Sequence, residues 1–266
     1  MTSFDPVLVP YDGSAHSRAA CANARLIAGP TGASTVILFV ASGPDPQVEA
    51  LLKEEALLFS SPVETRVVAG RPAQVVAAEA ERLRAGLVIL GTRGRSVVQG
   101  LLLGSVARYV LHAASRPVMV VHQAVPGIRR IVVGVDGGEN VRAVATVARG
   151  LADATSAQIT LVHVVETDPA FAQRPERFGI APDVFRVGVQ ARAEKLFGAP
   201  RPIVGPEAVE RVVYGLPVDA LRHEAAREGA EIVVVGRRGD SGLDVDSWFS
   251  VSFALAIQGP FATVVV

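Results

Sequence analysis

The chain has 266 residues, of which 50% are hydrophobic and 20% charged, with 26 basic side chains against 26 acidic ones. This composition excludes a disordered or fibrous protein, and the zero formal charge supplies no overall field toward nucleic acid or an anionic membrane surface. A lone cysteine, Cys21, excludes a disulfide framework and a cysteine-rich zinc site, and the length suffices for two domains of ordinary size.

The first predicted element is an apolar strand near residues 7–11, ended by Asp12 and Gly13. No basic stretch precedes it, and no apolar run reaches the ~18 residues of a membrane span, so a cytoplasmic protein is expected. A helical pattern begins near Ser14, with Cys21 expected on its buried side. Further strands are predicted near 35–41, 63–69, 87–91 and 117–122, with helical patterns between them. Runs such as VILFV and LVIL are continuously apolar, as expected of a parallel sheet covered by helices on both faces. Gly70-Arg71-Pro72 opens one of the helices, with Pro at a tolerated first-turn position. After Leu90 comes GTRGRSVVQGLLLGS, residues 91–105, leading into a helix that runs to about Ala114.

Beyond a linker at Gln123–Gly127 the pattern starts again. Ile131–Gly138, IVVGVDGG, repeats the opening strand with Asp136 in the place of Asp12, and Gly215-Leu216-Pro217 repeats the Gly70 turn. VVVGRRGD, Val233–Asp240, repeats LVILGTRG, and the final GPFATVVV repeats RPVMVVH. The offset grows from 124 residues at the Asp pair to 145 at the glycine pairs, which places about 21 extra residues within Glu166–Pro206. That segment is rich in Pro and is expected to form a longer loop. The chain therefore reads as two domains, 1–124 and 128–266, each an α/β unit with a doubly wound five-stranded parallel sheet and ligands beyond the carboxyl ends of its strands.

The chemistry is expected in residues 91–105. Gly91 and Gly94 would let the backbone turn sharply and approach a ligand, Gly104 would begin a helix whose free N–H groups and dipole favour an anion, and Ser105 would cap that helix or donate to a phosphate. Arg93 and Arg95 would neutralise part of a polyphosphate. Glycines in a connecting loop also simply make turns, and Asp12 in its position also serves as a helix cap. Alternatives have less behind them. The five histidines are scattered without the i, i+4 spacing of a helical metal pair, Ser14 and Ser17 lack a nucleophile elbow, neither Lys53 nor Lys195 follows a glycine loop, and no dinucleotide fingerprint occurs. Trp248 beside Phe249 reads as core packing.

Gly91, Gly94, Gly104 and Ser105, with Asp12 ending the first strand, fit without gaps the G-x2-G-x9-G-[S/T] pattern of the universal stress protein family, which the whole chain resembles as two tandem copies. The resemblance implies an adenine nucleotide alpha hydrolase-like fold in each half. It implies that Pro10, Tyr11, Asp12, Val40 and Ala41 hold adenosine, and that Gly91, Arg93, Gly94, Gly104, Ser105 and Val106 hold the phosphates. The ligand it implies is ATP, or AMP or ADP, with Mg2+ or Mn2+ compatible at the phosphates. The function it implies is an ATP-binding stress-response regulator acting on an unidentified protein partner, with no role for nucleic acid or membrane. The second copy departs from the pattern: Gly236 and Gly239 remain, but Phe249-Ser250 replaces Gly104-Ser105, and Asp240, Asp244 and Asp246 make its loop acidic, with Arg237 and Arg238 available to pair with them. One nucleotide site, in the first domain, is therefore expected, with a scaffold or regulatory second domain. The alternative is an interaction scaffold that binds no nucleotide. Catalytic residues are not assigned, and any turnover would be slow ATP hydrolysis or autophosphorylation. The apolar final strands, Pro117–His122 and Pro260–Val266, are sheet edges that need covering, by pairing within the chain or in a homodimer.

Overall fold

The computed structural model of the chain describes residues 4–41, 43, 45–94, 103–167, 169–237 and 251–266. The first half runs β1 (Val7–Pro10), α1 (Ala15–Thr31), β2 (Thr35–Val40), α2 (Pro46–Ala56), β3 (Val63–Val68), α3 (Pro72–Arg82), β4 (Leu87–Gly91), α4 (Ser105–Ala113) and β5 (Val118–Val121). The expected strands thus lie within a residue of their predicted bounds. After the irregular 122–129 segment come β6 (Arg130–Gly134), α5 (Val141–Thr155), β7 (Gln158–Val165), α6 (Pro169–Gln173), a 3-10 turn (Pro175–Phe178), α7 (Pro182–Phe197), α8 (Arg201–Val204), β8 (Val209–Tyr214), α9 (Pro217–Glu228), β9 (Ile232–Val235), α10 (Val251–Gln258) and β10 (Ala262–Val265).

The Glu166–Pro206 segment corrects one expectation: it is mainly helical, not a longer loop. Its prolines do not break the helices because Pro175, Pro182 and Pro202 sit in first turns, where no backbone N–H is needed.

The ten strands among the described residues join one sheet in the order β3-β2-β1-β4-β5-β10-β9-β6-β7-β8. Every pairing within a half is parallel. The halves meet through β5 and β10, which run antiparallel with Val264 opposite Met119. The two apolar final strands therefore cover each other. Successive strand residues point to opposite faces and feed two cores. Val7, Val9, Ile89 and Ile131 pack with residues of α1, α2, α5, α7 and α8, among them Ile27, Leu52 and Leu151. Leu8, Val88, Val120 and Val233 pack on the other face with residues of α3, α4, α9 and α10, among them Val76, Val110 and Leu221. Each core runs across both halves. Cys21 lies on the buried side of α1, and burial pushes its thiol well above the ordinary range.

The outer edges, β3 and β8, carry charges at Glu64, Arg66, Glu210 and Arg211, which discourage further strand addition. Among the described residues no helix is long and apolar enough to cross a membrane.

Candidate functional site

The chain leaves β1 for β2 on one side, whereas β4 lies on the other, so the turns after β1 and β4 diverge and open a cleft at the carboxyl ends of the strands. The cleft takes in about 810 Å³, including the part open to solvent. Pro10, Tyr11, Asp12, Val40, Gly91, Arg93, Gly94, Gly104, Ser105 and Val106 all line it, although they come from four separate stretches of chain. Ala41, expected beside them, is not among the lining residues, and Arg95 lies outside the described residues.

The structure adds residues that the sequence pattern does not assign to the site. Ser17, Thr92, Pro72 and Val76 also line the cleft. The Gly70-Arg71-Pro72 turn was visible in the sequence as a helix start, but nothing there showed that α3 would aim its first turns at the cleft. Ser17 was discounted with Ser14 for lack of a hydrolase motif; here its hydroxyl lies 3.4 Å from the Asp12 amide, which donates to it.

The three glycines have roles more specific than loop flexibility. None of Gly91, Gly94 and Gly104 has a positive φ, so a sharp turn is not what requires them. A Cβ at Gly91 would lie 2.6 Å from the carbonyl carbon of His16 and 2.7 Å from its oxygen, so the missing side chain lets the start of α1 rest against β4. At Gly94 a Cβ would come within 2.7 Å of Asp12 Oδ2, so this glycine makes room for the Asp12 carboxylate. Gly104 donates its N–H to the Thr92 carbonyl at 2.6 Å, and a Cβ there would sit 3.2 Å from that oxygen. The 92–94 turn is thereby fastened to the start of α4.

Two capping expectations are corrected. Gly104, not Ser105, is the N-cap of α4, and it makes no side-chain cap bond. Having no side chain, it leaves the first-turn N–H groups of a nine-residue helix facing the cleft. Ser14, not Asp12, caps α1 by accepting from the Ser17 amide at 3.1 Å. Asp12 Oδ1 instead accepts from the Ser14 amide at 3.0 Å, which fixes its carboxylate at the cleft wall. Asp12 is the one carboxylate among the described lining residues. Arg93 is half-buried in the wall and makes no ion pair among the described residues.

Behind the wall, Tyr11 is buried at 4% exposure and donates its hydroxyl to Glu55 Oε2 of α2 at 3.0 Å. Arg25 of α1 donates to Glu55 Oε1 at 2.7 Å and lies over the Phe59 ring, 5.3 Å from its centroid. Both carboxylate oxygens of a buried Glu55 are thus satisfied, and the Tyr11 turn is tied to α1 and α2. Burial pushes the Tyr11 phenol above its ordinary value; the Arg18 hydrogen bond opposes the rise and the Glu55 carboxylate adds to it. With the folded value raised, the stability gained from the neutral phenol is complete below the ordinary phenol range and is lost as pH climbs through the folded value. Tyr11→Phe is therefore expected to cost about 1 kcal/mol at neutral pH through the lost hydrogen bond, and to lose less stability than wild type above about pH 10. Urea unfolding of both proteins at pH 7 and pH 11 checks this; parallel losses would dissociate the phenol from the alkaline limb.

The second half keeps the frame. Asp136 Oδ1 accepts from the Gly138 amide at 2.9 Å, as Asp12 does from Ser14. The Arg237 amide donates to Val266 O at 2.7 Å where the Thr92 amide donates to Val121 O at 3.0 Å, which equates Arg237 with Thr92. Arg238, Gly239, Asp240, Asp244, Asp246, Trp248, Phe249 and Ser250, on which the expected departure of this copy rested, lie outside the described residues.

The family model described as the universal stress protein family matches residues 59–122 and 127–266. A universal stress protein of Methanocaldococcus jannaschii is 30% identical over 139 residues, covering 44% of this chain and 82% of the relative. Another, from Thermus aquaticus, is 33% identical over 135 residues, covering 44% of this chain and 98% of its own length. The crystal structure of a universal stress protein from Archaeoglobus fulgidus superimposes with a TM-score of 0.66 at 18% identity, over 98% of each chain, a likeness of fold along the full tandem. With both halves matched, the chain belongs to the universal stress protein family and is a tandem member of it.

Proposed function

We propose that the cleft of the first domain, residues 1–124, binds one adenine nucleotide, ATP or its di- or monophosphate, and that the chain is a stress-response regulator whose second domain, 128–266, serves as a scaffold or regulatory copy. One observation carries this reading: the convergence of Asp12, the 91–94 turn and the bare N-terminus of α4 on one cleft at the switch point of a parallel sheet. In it the apolar wall of Val40, Pro72 and Val76 accepts the base, and Asp12 accepts hydrogen bonds from ribose hydroxyls. The α4 first-turn N–H groups, the Ser105 hydroxyl and the Arg93 guanidinium face the phosphates. With a single carboxylate in the described lining, a Mg2+ or Mn2+ ion would draw its oxygens mainly from phosphate and water.

Acid extraction of the purified protein, followed by nucleotide chromatography, is expected to release up to one adenine nucleotide per chain. The emptied protein is expected to gain several degrees in Tm at millimolar MgATP, since a ligand at 100 times its Kd adds about 2.7 kcal/mol. No released nucleotide and no shift would sink the reading in favour of an interaction scaffold.

A further inference from the structure

The helix that opens the cleft is held at its far end by the other half of the molecule. Ala114, the C-cap of α4, offers a carbonyl oxygen to Arg237 Nη1, which crosses from the end of β9 to reach it. The turn just beyond α4 is fastened from within its own half as well: Glu81 of α3 accepts from the Ser115 amide at 3.1 Å, from the Ser115 hydroxyl at 2.6 Å and from Arg116 Nε at 3.3 Å. Among the described residues Arg237 has no such ring of hydrogen-bond partners, although the Glu81 carboxylate lies near enough to favour its charge. Its Nε and Nη2 are buried with no hydrogen-bond partner among the described residues, and burial pulls its affinity for a proton down. Burying a guanidinium is costly, and among the described residues the Ala114 carbonyl is the one acceptor its side chain reaches.

The contact has a counterpart in the opposite direction. His122, which follows β5, lies with Nε2 2.9 Å from the carbonyl of Ala256 in the last turn of α10. A carbonyl only accepts, so Nε2 carries the proton. The helices α4 and α10 hold equivalent places in the two halves, and each half sends an N–H donor to the carboxyl end of the other's helix; the macrodipole there favours the Arg237 charge, whereas burial lowers the proton affinity of His122, which serves as a ring N–H donor. On the first half's side, the equivalent of Arg237 is Thr92, which lines the cleft; the second half has used the same position to grip α4 instead.

We propose that Arg237 is a positioning residue for the first domain's anion site, through which the second half sets where the N-terminus of α4 stands. The consequence for affinity rests on the nucleotide reading of the cleft; the grip on α4 does not. A nine-residue helix packed on a sheet moves as a body, so loosening one end displaces the N–H groups at the other.

Hydrogen exchange and ligand titration on the full chain test this together, comparing wild type with Arg237→Met, and with Arg237→Gln should the Met variant fail to fold. Amides of 105–113 are expected to exchange at least about threefold faster in the variant, while those of β1 and β4 keep their wild-type rates. ATP affinity is expected to fall about threefold to thirtyfold and adenosine affinity to stay unchanged, because the adenosine side of the cleft is not built on α4. Unchanged exchange across 105–113 would overturn the proposal, as would equal loss of ATP and adenosine binding, which marks general destabilisation. If ATP binds neither protein, the nucleotide reading falls while the exchange rates still decide whether Arg237 holds α4.

Discussion

Gly104→Asp is expected to lower MgATP affinity by more than about 100-fold while leaving the stability of the chain within about 1 kcal/mol of wild type. The two halves of that expectation come from one geometry. Gly104 is the N-cap of α4 in extended backbone, φ −68 and ψ 157, which an Asp adopts without strain. Its Cβ would stand 3.2 Å from the Thr92 carbonyl, close enough to demand a shift of a few tenths of an ångström. Against that small cost the new carboxylate caps the first-turn N–H groups, a gain over glycine of a few tenths of a kcal/mol. The same carboxylate occupies those donors and sets a negative charge where a phosphate would approach; two like charges 4 Å apart near a protein surface repel by about 4 kcal/mol. Calorimetric titration with MgATP, beside urea unfolding, separates the effects. An affinity within threefold of wild type would place the phosphates elsewhere.

Gly91→Ala is expected to act in the opposite way, through stability. The added methyl would meet His16 backbone atoms at 2.6 and 2.7 Å, and backbone cannot rotate aside as a side chain can. Either α1 lifts from β4 or the strand bends, and both disturb the core formed by Cys21, Ala24 and Ile89. A loss of about 2–3 kcal/mol follows, read as a lower urea midpoint at unchanged slope. A loss below about 0.5 kcal/mol would show that α1 does not depend on the bare strand end.

These two glycines mark how far the sequence could be read. The strands were legible because a parallel sheet buried on both faces writes itself as short unbroken apolar runs, and the repeat of Asp12 at Asp136 placed both copies. The Gly91–Ser105 spacing pointed to the cleft, but not to what each glycine does. Gly91 faces His16, 75 residues earlier, and no local pattern records such a contact. Helix α7 was missed for a different reason. It exposes Val184 and Val187, buries Ala193 and Phe197 only near its end, and so shows no sustained apolar face; its one proline, Pro182, then reads as a loop signal although it sits at the helix start. Tyr11, Glu55 and Arg25 come from three different elements, so their buried link became visible only in the folded chain. Both final strands are apolar runs, so the sequence does not distinguish which sheet edge meets which.

That antiparallel meeting of β5 with β10 also fixes a ratio. Two separate chains joined along such an edge would exchange partners, and a population holding two kinds of half would contain like pairs as well as mixed ones. Here the partner is always the other half, supplied at the high effective concentration of a short tether and indifferent to dilution. Every molecule therefore carries one half with the Gly104-Ser105 cradle and one with Arg237 in the place of Thr92, and no change in expression level can alter that stoichiometry.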